Sequence, residues 1–564
     1  MGDVFEYLID GTSGLVPAGV DGKAMIVGVC SKGQVGKGYL LDKRSDLNGL
    51  LGVGPLVDRL RDVFATAGQK ANVVAVPVAG EAYGYFTPPV RIGSLGNVPV
   101  VLGVPQKNAD VVIQVDAAGQ VGTATLKVSL DNGKTFSSAK ASSSSFVISE
   151  IGATLLLDEE EQLELGTSFH FVSRLAIGPV LQYGDGPSLE IGGTVSAAAQ
   201  IVVQIVKGGD PNEGTYKLSV DGGDNFGSTR TIPVDKVVTL HDYGVQLEFA
   251  DSNYLGGTTY TCRLQPPAPS IVEVMEALED PLDIYDIEFV YVVGPSDSVD
   301  WAAAAAKTDE LWNLHRPTYI KMEARLPYDG EDLNDYTARL VKEREDFAAR
   351  FVQVCCQFGE VSDSTGQRKL RNWAGLQAGR AISIPVQRAT GRVRDGNIAQ
   401  GTLPDGWDAV QPWLEDAGYI TAKRYAGLKG AYWGDSRTMA EDTSDYRYEE
   451  VLRVVFKAVR KERVAALLSM YDELGDPLAP EGAIGLNYLK ANIENALGTM
   501  TAAVPPELAA FIVEIPEGQD FVNNGVAVET DLIGIPIIRN IKLFSRYVYA
   551  GSKFDPRMED GYGN

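Results

Sequence analysis

Apolar residues follow two rhythms along this chain. Residues 24–30 are an unbroken apolar run from Ala24 to Cys30, and 72–78 are another, as expected of strands covered on both faces. Between them Pro55 suits the first position of a helix, and Leu56, Leu60, Val63 and Phe64 recur on one helical face. Strand, helix, strand predicts a parallel pair with a helix packed over it. From residue 91 to 268 the helical period disappears. Short alternating stretches bounded by Gly, Asn, Asp and Ser take its place and predict antiparallel strands. The α/β rhythm then returns, with strands at 287–293, 318–323 and 351–355 and helices at 301–314, where five alanines follow Trp301, and at 335–350. Residues 91–268 therefore read as an insertion into one α/β unit, closed by the Pro-rich stretch 265–269.

The insertion repeats itself. At an offset of 90, Val112, Gln114, Thr125, Lys127, Ser129, Asp131, Gly133 and Phe136 recur as Val202, Gln204, Thr215, Lys217, Ser219, Asp221, Gly223 and Phe226. The shared Thr-x-Lys-x-Ser-x-Asp-x-Gly-x-x-Phe is a strand running into a tight Asp/Asn-Gly turn, and two copies predict two small β-sandwich or barrel modules, 91–180 and 181–268. Further on, a helix at about 446–471 is expected to turn Val451, Val455, Ala458, Val459, Leu467 and Leu468 inward. Arg453, Lys457, Arg460 and Lys461 would then form an outward basic stripe suited to an acidic partner, or to local pairs with Glu449, Glu450 and Glu462. A second helix near 485–500 precedes apolar, strand-like text from Phe511 almost to the end. At the other terminus, residues 3–10 suit an extended strand, and Gly11, Gly14, Pro17, Gly19 and Gly22 follow as a flexible connection. The expected architecture is an α+β multidomain chain: an α/β core containing a βαβ unit, an inserted pair of repeated all-β modules, and extended N- and C-terminal arms.

Composition narrows the function. With 50 basic and 75 acidic residues the net charge is −25, and the field of the whole molecule opposes binding to nucleic acid or anionic lipid. No basic segment leads into an apolar run at the N-terminus and no stretch of 18 apolar residues occurs, so neither a signal peptide nor a membrane span is expected. The four cysteines, with Cys355 and Cys356 adjacent, have no metal or disulfide spacing. Cys30 and Cys262 read as ordinary buried thiols. The three histidines, His170, His241 and His315, have no i, i+4 partner, and the first two fall in predicted strands of the insertion. Residues 31–38 imitate a phosphate loop after a strand, but Ser31 stands where the first glycine belongs and Gly38 where the Ser/Thr belongs, so a turn is expected. The acidic run 158–161 lacks the alternating carboxylates and glycine of a calcium loop and reads as solvated. No G-x-S-x-G elbow is present. No catalytic residue, cofactor site or metal site is expected, and the chain reads as a structural protein rather than an enzyme.

Taken together, these residues resemble the tail-sheath proteins of contractile phage tails and related injection particles. The resemblance lies in the N-terminal strand with its Gly-rich connection, the runs 24–33, 45–52 (Ser-Asp-Leu-Asn-Gly-Leu-Leu-Gly) and 72–78, and the small-residue stretch 372–380 (Asn-Trp-Ala-Gly-Leu-Gln-Ala-Gly-Arg). Residues 434–440 (Gly-Asp-Ser-Arg-Thr-Met-Ala) before the long helix and the apolar C-terminal text complete it. It covers most of 1–90 and 270–564. The resemblance implies six-subunit rings stacked helically around a tail tube, with baseplate and tail-terminator partners, assembled in the host bacterial cytoplasm and carried in the virion tail or particle. It implies a middle domain of 23–90 with 270–395, an inner domain of 396–564 joined by the arm and linker 1–22, and modules 91–180 and 181–268 projecting outward. It also implies strand exchange between subunits through Val4, Phe5, Tyr7 and Ile9 at one end and Ile537, Ile541, Leu543 and Tyr547 at the other, with Arg453, Lys457, Arg460 and Lys461 facing the tube. No cofactor, nucleic acid or membrane insertion is implied. The alternative reading is a phage or surface adhesin whose β modules bind receptor or glycan.

Overall fold

The unbroken apolar runs become the inner strands of a six-stranded sheet. In the computed structural model, which describes residues 20–68, 71–362, 368–476 and 483–558, the strands are β1 (Ala24–Val29), β2 (Tyr39–Asp42), β3 (Asn72–Val78), β4 (Phe289–Ser296), β5 (Tyr319–Ala324) and β6 (Val352–Cys355), in the order β2-β3-β1-β4-β5-β6. β2 is antiparallel to β3 and the other pairs are parallel, with Ala24 opposite Val73 on one side and Phe289 on the other. Every residue of β1 and β5 is buried, which requires cover on both faces of the sheet. Helices α1 (Pro55–Thr66), α2 (Ile271–Ile284), α3 (Ser298–Asn313), α4 (Leu333–Glu345), α5 (Ala374–Ser383) and α6 (Trp407–Asp416) supply it. Pro55 opens α1 as expected. α5 lies close against α1 because two of its residues lack side chains. A Cβ at Gly379 would stand 2.3 Å from the Val63 carbonyl, and one at Gly375 3.1 Å from that of Arg59.

Element boundaries moved where side chains capped the backbone. The helix expected at 335–350 starts at Leu333, because Asp332 accepts from the amides of Asn334 and Asp335 at 2.8 and 2.9 Å. It stops at Glu345, and the amide of Ala349 is instead donated to Met439 at 2.7 Å.

The two β modules superimpose in sequence strand for strand. In the first, Ala109–Ala117 pairs with Thr125–Ser129 and Ser168–Arg174, and a second sheet of Val100–Gly103, Ala153–Leu156 and Ser145–Ile148 closes over the same core. In the second, Ala199–Lys207, Thr215–Ser219 and Thr259–Leu264 face Leu189–Gly193, Val245–Phe249 and Val237–Leu240. Even the bulge recurs, between Val115 and Ala117 and between Ile205 and Lys207. The repeated motif builds its turn from side chains. Ser129 donates to Asp131 at 2.7 Å and accepts the Gly133 amide at 2.9 Å, and Asp131 accepts the Thr135 amide at 2.9 Å. Ser219, Asp221, Gly223 and Asn225 repeat this at 2.6, 2.9 and 3.0 Å. Glycine supplies the left-handed backbone, with φ of 81° at Gly133 and 101° at Gly223. His170 lies in its expected strand, but His241 opens the short 3-10 turn His241–Tyr243, where Gly244 reverses the chain.

The main hydrophobic cluster runs from Ala24 through Trp407, Tyr419, Trp433 and Met439 to Phe456. The boundary expected at residue 396 falls inside it. A separate small cluster joins α7 (Glu449–Leu467), α8 (Ile484–Thr501) and the hairpin Ala510–Glu514/Glu529–Ile533. α7 belongs to both clusters.

Candidate assembly interface

The buried side of α7 explains why its sequence misled. Leu452 and Phe456 pack on the α/β core, the Phe456 ring 5.0 Å from that of Phe351, whereas Val454, Ala458 and Ala465 pack toward α8 and the hairpin. Two contact surfaces widen the buried arc beyond a single stripe, and Arg453 falls within it. The outward position expected of Arg453, Lys457 and Arg460 is therefore corrected. Arg453 is 2 % exposed and bound by the carboxylate of Glu288. Lys457 pairs with Asp21 and, at 2.7 Å, with Glu507. Arg460 donates to the carbonyls of Ile287, at 2.8 Å, and Pro317. Lys461 is half-buried. Leu467 and Leu468, expected inward, are exposed at the end of the helix.

The first turn of α7 is also buried. Glu449 accepts from Lys321 on β5, from Tyr319 at 3.0 Å and from Gln377 on α5 at 2.8 Å, and Lys321 donates in turn to Gln353 and Gln377 at 2.8 Å each. Burial alone would raise the Glu449 carboxyl. Lys321 and Arg453 nearby, with the hydrogen bonds from Lys321 and Tyr319, outweigh it and hold the group below the usual carboxylate value. Glu450 reaches Arg539.

Beyond this helix the chain leaves apolar surface and backbone unpaired. The hairpin strands Ala510–Glu514 and Glu529–Ile533 pair only with each other among the described residues. A two-stranded sheet is marginal alone. Residues 534–549, expected to be strand, form none within the subunit. Ile541, Leu543 and Tyr547 are exposed there, at 71 %, 86 % and 81 %, while Ile537 is half-buried. The expected N-terminal contacts of Val4, Phe5, Tyr7 and Ile9, with Gly11, Gly14, Pro17 and Gly19, lie outside the described residues. At the edge of the described chain the Gly22 amide donates to Glu288 and Asp21 holds Lys457, so the N-terminal connection meets the body at α7.

The remaining candidates for chemistry are taken up locally. Residues 31–38 form a loop leading into β2, with the Gly36 amide on the carbonyl of Pro77 at 2.9 Å. In the acidic run Glu161 binds Arg91, and Asp158 accepts from Asn97 at 2.9 Å. Cys262, Cys355 and Cys356 are buried and Cys30 half-buried. Burial pushes the Cys30 thiol up to about 11 and those of Cys262 and Cys355 to about 12, keeping them protonated. At the carboxyl ends of β4 and β5 is a cavity of about 210 Å³ bordered by Arg59 and Glu323. These two groups are spent on each other, in a bidentate pair of 2.7 and 2.9 Å. Among the described residues no helix is long and apolar enough to cross a membrane.

Comparison with known proteins follows the division at α7. Residues 1–437 match the family model DUF2586, N-terminal domain, and residues 445–552 match DUF2586, C-terminal domain. The chain belongs to the DUF2586 family. The two matched domains of DUF2586 meet just before α7, where Arg437 and Tyr448 pair as an isolated antiparallel bridge. Among curated proteins none matches this DUF2586 chain. Solved structures similar to it include a sheath tail protein from Desulfitobacterium hafniense, 11 % identical over 95 % of this chain and 100 % of the other, with a TM-score of 0.41. A sheath tail protein from Listeria innocua is 9 % identical over 92 % and 96 % of the two chains, with a TM-score of 0.39. A chain of the anti-feeding prophage baseplate is 18 % identical over 51 % and 76 %, with a TM-score of 0.34.

Proposed function

We propose that this DUF2586 chain is a structural, non-catalytic subunit of a contractile tail sheath. It assembles as stacked six-subunit rings around a tail tube between baseplate and terminator, and contracts to drive the tube through a target envelope. The observation that carries the reading is the unfinished C-terminal sheet: a hairpin whose strands pair only with each other among the described residues, followed in the chain by 534–549, which forms no strand and leaves Ile541, Leu543 and Tyr547 facing solvent. Monomeric proteins cover or blunt open sheet edges. A segment of strand-like composition is completed when neighbouring subunits exchange strands, so that main-chain hydrogen bonds link them. The resemblance of 1–90 and 270–564 to sheath proteins supplies the context. Subunits joined in this way can reorient as rigid bodies without separating, which contraction requires.

The chain would be assembled in the host bacterial cytoplasm and carried in the tail of the particle. Of Arg453, Lys457, Arg460 and Lys461, the first three serve the body of the subunit, which leaves Lys461 as the member of that set to meet a tube. The test is electron microscopy of the purified chain in negative stain. Hollow helical tubes are expected, and deletion of residues 1–12 or of 535–564 is expected to abolish them while the circular dichroism spectrum is retained. Normal tubes from either truncated chain would exclude strand exchange by that terminus.

A further inference from the structure

Nearly all of the segment 535–549 faces solvent, Arg539 included, but the Arg539 side chain is folded back onto the subunit. Its side chain is 26 % exposed, and its guanidinium lies 3.5 Å above the ring of Tyr448, donates from Nε to Asp435 at 3.2 Å, and donates from Nη2 to the carboxylate of Glu450. The three partners come from different places in the fold. Asp435 follows the strand Ala431–Trp433, Tyr448 precedes α7, and Glu450 sits in its first turn, 5 % exposed. A flat, permanently charged fork that stacks on a ring and bonds two carboxylates uses what guanidinium has and ammonium lacks. Burial raises the Glu450 carboxyl, and Arg539 is the charge that opposes this most. Without a guanidinium the site would hold a buried carboxylate lacking its counter-charge.

We propose that Asp435, Tyr448 and Glu450 form a receptor for an arginine guanidinium, filled in the free subunit by Arg539, which pins the root of the C-terminal segment to α7. Residues beyond Arg539 remain free to reach a neighbour. The pin sits on the same helix that holds Asp21 through Lys457 and Gly22 through Glu288 and Arg453, so residues 21–22 and Arg539 are both anchored at one helix. Only the reach to a neighbour rests on the sheath reading; the receptor does not.

The experiment uses the full chain, kept dilute, and a fluorescent synthetic peptide of residues 535–549 followed by anisotropy. The chain carrying Arg539→Ala is expected to bind the native peptide at least tenfold more tightly than a peptide carrying the same substitution. The unsubstituted chain, its receptor already filled, should bind the native peptide at least tenfold more weakly than the Arg539→Ala chain does. Adding Glu450→Gln to the Arg539→Ala chain should bring the native peptide down to the level of the substituted one. Binding that ignores Arg539 or Glu450, or that is equal for the substituted and unsubstituted chains, overturns the receptor. Tubes without arginine-dependent binding would remove the receptor and leave the sheath reading. Arginine-dependent binding in a chain that never forms tubes would do the reverse.

Discussion

At the scale of single residues, the decisive groups are charges that the fold has taken out of water. Lys321 and Glu449 are each about 2 % exposed and satisfy one another, with Tyr319, Gln353 and Gln377 completing their hydrogen bonds. A pair of this kind adds little over an apolar substitute, but breaking it is costly because the survivor stays buried. Glu449→Gln leaves the Lys321 ammonium without its carboxylate and is expected to cost about 3–5 kcal/mol at pH 7. Because the folded Glu449 carboxyl is held below its unfolded value of about 4.3, its contribution is complete above that value and is lost as pH falls through the folded one. The glutamine variant has no such loss. Chemical denaturation of both chains at several pH values should therefore show the gap between them narrowing toward acid, and a gap independent of pH would reject the assignment.

At the scale of elements, the two β modules act as controls for each other. Val100 stands opposite Leu156 on the outer face of the first, and Glu190 opposite Glu248 at the matching place in the second. Val100→Glu is therefore expected to change stability by no more than about 0.5 kcal/mol, as surface substitutions generally do. Leu155→Glu, one position along and fully buried, should unfold the first module, and calorimetry of the two variants reads the difference. These modules were legible in the sequence because Ser-x-Asp-x-Gly encodes its turn with neighbouring side chains, and because alternation fixes which face each residue takes. The parallel core was legible for a similar reason, since strands covered on both faces read as unbroken apolar runs. α7 was not. Its periodicity could not reveal two packing surfaces, nor that Arg453 would meet Glu288, 165 residues away. The segment after residue 533 has the composition of a strand but no strand in the subunit, because a strand needs an edge to pair with and composition does not name the edge. The receptor for Arg539 was equally hidden, being assembled from Asp435, Tyr448 and Glu450 only once the fold brings them together.

At the scale of the whole molecule, the insertion leaves and re-enters the α/β core at adjacent points. The amide of Ala268 donates to the carbonyl of Glu81 at 3.0 Å, so the chain closes its own base before and after the modules. Contacts between the modules and the core elsewhere, among the described residues, include Arg174 and Arg263 reaching Asp329 at 3.2 and 3.1 Å, the Tyr85 ring 5.4 Å from that of Tyr328, and the Lys369 ammonium 5.9 Å from the ring of Tyr243. The ion pairs are partly exposed, and such pairs are worth about 0–1 kcal/mol each. Joining Glu81 to Ala268 through an Asn-Gly turn, which suits an antiparallel pair, should therefore leave the core folded and cooperative in a denaturant titration. If the modules only decorate the surface, the shortened chain also forms tubes under the conditions used for the full chain. An unfolded product would mean that the modules help to complete the core. A folded product that stays monomeric would mean that they carry contacts between subunits, and would move part of the assembly surface from the termini to the modules.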